Sequence, residues 1–234
     1  MRKLLFIGVL CAVVASPALA DLTLQIGYSG SNYGPYQTGL GGEFTVNPSG
    51  WDPLPYYADD KDLKDVGVDG TFQTFCLERL ETISAYPSEY AVVLSDSAVY
   101  GGVGGADPLS IGTAWLYKQF QDGTLDYAYD GTTAERKYDA DLLQKAIWWL
   151  EGEKDGAENK YTALAISQFG SAANAKADND GAYAVRVMNL WDKNYVGVLG
   201  HQHQDLLVCV PVPGAVLLGL LGLGYAGRRL RKMA

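Results

Sequence analysis

The chain has 234 residues, 48% of them hydrophobic and 19% charged, and its 27 acidic side chains outnumber 18 basic ones for a net charge of −9. Six of the cations (Arg2, Lys3, Arg228, Arg229, Arg231 and Lys232) lie at the two ends, so residues 21–205 keep every acidic group and carry −15. That balance excludes nucleic acid as a partner, because binding its backbone needs clustered Lys and Arg, while the length and apolar content suffice for one domain with a real core.

Residues 1–20 join a basic start (Arg2, Lys3) to an apolar run over 4–14 and an Ala18-Leu19-Ala20 cleavage site, the pattern of a secretory signal peptide. Cleavage after Ala20 removes Cys11. The stretch 21–205 then reads as the exported domain. Its first third is rich in Gly, Tyr, Pro and Asn, with a half-buried strand at Leu22, Leu24 and Ile26 and a second at Phe44 and Val46. The acidic run Asp59, Asp60, Asp62, Asp65 and Asp69, and the later Asp178-Asn179-Asp180-Gly181, lack the offsets of a calcium loop and read as solvated loops. Strand alternation over 71–77 places Phe72, Thr74 and Cys76 on one face and Gln73, Phe75 and Leu77 on the other, with Cys76 inside the strand; residues 90–94 add another strand.

After a glycine-rich turn at 101–105 the period changes. Asp107 or Ser110 can cap a helix through Ile111, Ala114, Trp115, Leu116 and Phe120 that Gly123 ends. Thr132 and Glu135 have capping-box spacing, and Leu143, Ala146, Ile147 and Leu150 form the stripe of a second helix, broadened by Trp148 and Trp149. A polar, Ala-rich segment over 161–177 can be helical. Tyr183, Val185 and Val187 then alternate as a strand, residues 195–199 suggest another, and 206–208 can close the sheet. The expected fold class is α+β: mainly an antiparallel β-sheet or sandwich with a small helical subdomain, plus a C-terminal transmembrane helix.

That last element comes from residues 206–227, 22 positions without a charge, followed at once by Arg228, Arg229, Arg231 and Lys232. The run is long enough to cross a bilayer, although Pro211 and Pro213 interrupt it, and the basic end predicts a cytoplasmic terminus with the domain outside. The tail resembles PEP-CTERM sorting signals, also labelled the ice-binding protein C-terminal type, in Val210-Pro211-Val212-Pro213-Gly214, the Leu/Gly-rich run and Arg228-Arg229-Leu230-Arg231. Val212 stands where the eponymous Glu occurs. The resemblance implies an exosortase-type processing protease as partner and delivery of the domain to the cell envelope or beyond.

Chemistry centres on the cysteines, since the exported chain keeps only Cys76 and Cys209. In an oxidising compartment a disulfide between them is one reading; a Cys209 at the membrane would put them apart. The other reading joins Phe75-Cys76-Leu77 to Leu143-Gln144-Lys145-Ala146-Ile147-Trp148. These blocks resemble the thioester domains of bacterial surface adhesins over residues 71–150, with Leu143 where Thr is usual. The resemblance implies an internal thioester between Cys76 and Gln144, an amine-bearing surface or matrix target, and a fold of sheet plus helices. Thiol chemistry permits it: a sulfur nucleophile held against a carboxamide can expel ammonia, and packing by Phe75, Leu77, Ile147 and Trp148 would keep water off the product.

Other constellations are thin. His201 and His203 have the spacing of two metal ligands on one strand face but no third ligand in sequence, and Glu78 with Glu81 could suggest a glycosidase pair in a chain where neighbouring carboxylates are common. No phosphate loop, serine elbow or zinc motif occurs, and no metal or cofactor is expected. The sequence thus points to an exported surface or matrix protein rather than a turnover enzyme. The alternative is a structural or carbohydrate-binding envelope module of the same fold without bond chemistry.

Overall fold

Apolar alternation builds the strands in this chain, and capping residues start its helices. The computed structural model describes residues 22–27, 32–50, 70–86, 88–99, 107–156 and 158–210. The signal segment 1–20, the acidic run 59–69, the turn 101–105 and the tail from Pro211 (with Val212, Pro213, Gly214, Arg228, Arg229 and Arg231) lie outside the described residues. In chain order the elements are β1 (Thr23–Ile26), β2 (Gln37–Thr38), β3 (Gly41–Gly42), β4 (Phe44–Ser49), β5 (Phe72–Thr74), β6 (Glu89–Ser95), β7 (Ser97–Ala98) and β8 (Asp107–Pro108). Four helices follow, α1 (Ile111–Gln121), α2 (Thr133–Leu150), α3 (Lys160–Phe169) and α4 (Ala172–Ala175), and then β9 (Val185–Asp192) and β10 (Gln202–Cys209).

The α+β expectation holds: six strands form an antiparallel sheet in the order β10-β9-β6-β1-β4-β5 beside the helices. It is one sheet, not a sandwich of two. The sheet curls until its ends meet, because Cys76, just past β5, bridges Leu206 of β10, with Leu77 N donating to Asp205 O (3.0 Å) and Leu207 N to Phe75 O (3.3 Å). Thr74 reinforces the seam by donating its hydroxyl to Leu207 O at 2.6 Å and accepting from Leu207 N at 3.1 Å. Side chains of α1 complete the edge, as Tyr117 Oη (2.9 Å) and Gln121 Nε2 (2.8 Å) both donate to Gln73 O. Closing a sheet on itself removes the unpaired edges that invite aggregation.

Strand alternation splits the core in two. The barrel interior holds Leu22, Leu24, Ile26, Met188, Leu190, Leu206 and Cys76, together with Trp148 from α2. The outer face of β9 and β10, through Val185, Val187, Leu207 and Cys209, packs beneath α1 and α2. The first two helices begin as the sequence indicates: Ser110 accepts from Thr113 N at α1, and Thr132 and Glu135 complete a capping box at α2; Asn159 caps α3, a start the sequence reading did not name.

Four expectations need correction. Cys76 stands past the end of β5, in an isolated bridge to Leu206, rather than inside a strand. Residues 195–199 form turns rather than a strand, with Val196, Val198 and Leu199 exposed, because they have no facing layer to bury them. Tyr183 stands outside β9 in a left-handed conformation (φ 62°), so the strand starts at Val185. Most consequential, Leu206 to Cys209 belong to β10 rather than to a membrane span. They are uncharged because β10 is covered on both faces, by the barrel interior and by the helices, so that all four are buried. Val210 extends this strand, its N donating to Ala184 O at 2.8 Å. Among the described residues no helix is long and apolar enough to cross a membrane. The uncharged run left beyond the domain is residues 211–227, 17 positions at the short end of what spans a bilayer.

Candidate functional site around Cys76 and Gln144

Cys76 lies at the seam where the sheet closes and Gln144 lies in the middle of α2, and the fold brings them together from 68 residues apart. Both are 1% exposed. Gln144 Oε1 accepts from Cys76 N at 3.0 Å and from Gly42 N at 3.1 Å, while Nε2 donates to Cys76 O at 2.8 Å. The carboxamide is thus clamped against the Cys76 peptide, with two backbone N–H groups converging on its oxygen. Only glycine fits at position 41 of the facing ribbon: a Cβ there would lie 2.6 Å from Gln144 Cγ and 2.9 Å from both Cδ and Oε1.

The ribbon β2–β3 is fixed on α2 by a buried ion pair one residue further on. Arg136 of α2 donates to both Glu43 oxygens, through Nη2 at 2.5 Å and Nε at 3.0 Å, and Tyr127 Oη adds a hydrogen bond to Oε2 at 2.6 Å. Arg136 Nη1 also reaches Tyr129 O at 2.9 Å, and the guanidinium stacks 3.9 Å from the Tyr36 ring centre. Such a fork-to-fork pair fixes orientation as well as distance. Gly41, Gly42 and Gln144 therefore keep their register through Glu43 and Arg136.

Of the four residues expected to shield Cys76, the structure places one beside it. Trp148 shares the barrel interior with Cys76, four residues along α2 from Gln144 and on the same face. Phe75, Leu77 and Ile147 are equally buried but belong to the helical side of the sheet, since neighbours of Cys76 in an extended segment point the opposite way. Cys76 also borders a cleft, although it is itself 1% exposed. Tyr33, Gln37, Leu40, Phe44 and Leu80 line this cleft of about 390 Å³ with it, and Leu40 and Leu80 stand 76% and 80% exposed at its rim.

Both cysteines are free. Cys76 pairs with Leu206 and points into the barrel, whereas Cys209, three residues on, faces the helices, so a disulfide has no geometry here. Burial pushes the Cys76 thiol well above its ordinary range, with the nearby Glu78 charge adding to this, and burial pushes Cys209 up to about 12. At neutral pH the Cys76 sulfur carries its proton.

Beside Cys76 the sheet seam gathers three carboxyl groups, Glu78, Glu81 and Asp205, whose oxygens lie within 4.8 Å of one another. Glu78 and Asp205 are 3% and 0% exposed and Glu81 is half-buried. Burial, then contact with the Glu81 carboxyl and the Asp205 and Glu81 charges, pushes Glu78 up to about 10; burial above all pushes Asp205 up to about 7 and raises Glu81. His201 and His203, in contrast, converge on a different group: His201 Nδ1 lies 2.8 Å and His203 Nε2 2.9 Å from the two Asp192 oxygens, and this half-buried clamp ties the end of β9 to the start of β10.

The arrival of Asp205 beside Glu78 and Glu81, the Glu43–Arg136 pair and the close approach of Gly41 are the site features that sequence reading missed. The run Gly39-Leu40-Gly41-Gly42 was the one local signal of a backbone approached closely. Comparison with protein-family models, with curated proteins and with solved structures finds no match for this chain.

Proposed function

We propose that this is an exported cell-surface or matrix domain that forms an internal Cys76–Gln144 thioester and uses it once, to capture an amine on a target surface. The observation that carries the reading is the clamp on Gln144, whose Oε1 receives Cys76 N and Gly42 N at 3.0 and 3.1 Å. Two preorganised N–H groups on a carbonyl oxygen are what stabilise the oxyanion when a nucleophile adds. Attack by Cys76 Sγ on Gln144 Cδ forms the C–S bond and breaks the C–N bond, and the thiol proton leaves on the departing nitrogen as ammonia. Because burial keeps the thiol protonated, proton transfer accompanies the attack rather than preceding it. A target amine then attacks Cδ, which restores the thiol and leaves an amide at Gln144; the cleft that Cys76 lines with Leu40 and Leu80 lies on the sulfur side of that bond.

The resemblance to adhesin thioester domains and to PEP-CTERM tails supports the same reading from sequence. It implies handling by an exosortase-type protease, transient anchoring through residues 211–234, and residence at the cell envelope or outside it. The alternative, a structural or carbohydrate-binding envelope module, is favoured by the three hydrogen bonds of the Gln144 carboxamide, which brace the seam without any bond chemistry.

Labelled methylamine separates the two. Incubated with the full chain in detergent, it should appear at Gln144 by peptide mapping and free a Cys76 thiol for alkylation; Cys76→Ala should take up none and Cys209→Ala as much as wild type. A wild-type chain that takes up no amine and whose Cys76 is alkylated from the start would establish the inert module instead.

A further inference from the structure

Among the described residues, four carboxyl oxygen atoms at the seam have no hydrogen-bond partner outside their own cluster: Glu78 Oε1 and Oε2, Glu81 Oε2 and Asp205 Oδ1. Buried polar atoms are nearly always paired, and an orphaned carboxylate oxygen is among the costlier exceptions. Here several converge, from three carboxyl groups within 4.8 Å of one another, two of them on side chains at least 97% removed from solvent. What surrounds the cluster fixes its walls without neutralising it. Val99 N donates to Asp205 Oδ2 at 2.6 Å and Gln204 Nε2 to the Glu78 backbone oxygen at 2.6 Å, which leaves the free oxygens turned toward one another. Among the described residues no Lys or Arg pairs with the three. His203 and Glu153 act on Glu81 with opposite sign.

We infer that Glu78, Glu81 and Asp205 form a binding site for a hard divalent cation of the calcium type, set into the seam that closes the sheet. An all-oxygen, all-carboxylate donor set suits calcium or magnesium rather than zinc or copper. The span of the cluster matches oxygens on opposite sides of a calcium ion with bonds of about 2.3–2.6 Å, and waters from the Cys76 cleft, which Glu81 and Gln204 also line, can complete the shell. The ion joins the segment after Cys76 to β10 at the point where Leu77 N donates to Asp205 O, so it acts as a clasp on the barrel. The site does not require the thioester, since none of its ligands is Cys76 or Gln144.

The test is calorimetric titration of the chelator-stripped full chain, in detergent at neutral pH, with calcium chloride and separately with magnesium chloride, paired with thermal unfolding in excess calcium or excess chelator. One calcium per chain and a Tm several degrees higher in calcium are expected, with magnesium weaker. Glu81→Gln, at a half-buried position that tolerates the change, should bind calcium at least tenfold more weakly, Glu78→Gln should not respond at all, and Cys76→Ala should bind as wild type does. Absence of binding heat with equal Tm in calcium and chelator would overturn the site. So would calcium binding that Glu81→Gln leaves unchanged, which would put the ion elsewhere.

Discussion

Replacing Gly41 by alanine adds one methyl group where the structure has no room for it. The new Cβ would stand 2.6 Å from Gln144 Cγ against an ordinary contact of 3.4 Å or more, so the carboxamide has to retreat by close to 1 Å. Gln144 cannot swing away cheaply, because its oxygen and nitrogen are held by Gly42 N, Cys76 N and Cys76 O, and backing off leaves those buried groups unpaired. Overpacking costs about 1–3 kcal/mol and an unsatisfied buried group about as much again, so a combined loss of roughly 2–6 kcal/mol is expected. Misplacing a reacting carbon by about 1 Å costs on the order of 100-fold in rate. Gly41→Ala should therefore lower the denaturant midpoint and reduce methylamine uptake at Gln144 by about two orders of magnitude. Gly39→Ala is the control: its Cβ meets nothing within 4 Å, so it suffers only the strain of alanine at φ 58°, about 1–2 kcal/mol, and takes up amine normally. A Gly41→Ala chain as stable and as reactive as wild type would refute the clamp.

Arg136→Ala strands the Glu43 carboxylate in a place with no exposure and should cost about 3–5 kcal/mol in chemical denaturation, with Arg136→Lys recovering only part because it lacks the fork; a loss under 1 kcal/mol would contradict this. In chelator, stability should fall as pH rises from 5 to 9. Asp205 and Glu151 are held up to about 7 and Glu78 to about 10, so the folded chain keeps protons that the unfolded chain has released, and the stability fully present below the ordinary carboxylate range is lost as pH climbs through these folded values. Glu78→Gln should flatten the upper part of that decline, and a wild-type curve that is level or rising over the interval would contradict the assignment. Finally, residues 211–234 fused to an exported reporter should retain it at the membrane, and changing Arg228, Arg229, Arg231 and Lys232 to Glu should release it; normal retention of the reversed tail would count against the topology.

What was legible in the sequence was what local chemistry specifies. The caps at Ser110 and Thr132, the α2 stripe and the alternation of β1 and β9 all depend on residues within a turn or two of one another. The pairing of Cys76 with Gln144 was legible only through paired motifs, and it placed the two residues in contact but not in their setting. The closure of the sheet was not legible, because it rests on Thr74 meeting Leu207 from 133 residues away. For the same reason the Glu78–Glu81–Asp205 cluster was invisible: Glu78 and Glu81 looked like ordinary acidic neighbours until β10 brought Asp205 across. The apolar run from Leu206 was ambiguous in principle, since a strand buried on both faces and the start of a membrane span are equally free of charge. The run at 195–199 failed for the opposite reason, alternating correctly with nothing to pack on.

The thioester is tested most directly by the intact mass of the freshly purified chain, compared with that of Cys76→Ala carrying the same termini. The account predicts a wild-type chain lighter than its calculated mass by one ammonia, with no free thiol at Cys76, and a Cys76→Ala chain at full calculated mass. A wild-type chain at full calculated mass, with Cys76 open to alkylation and Gln144 unhydrolysed, would contradict it.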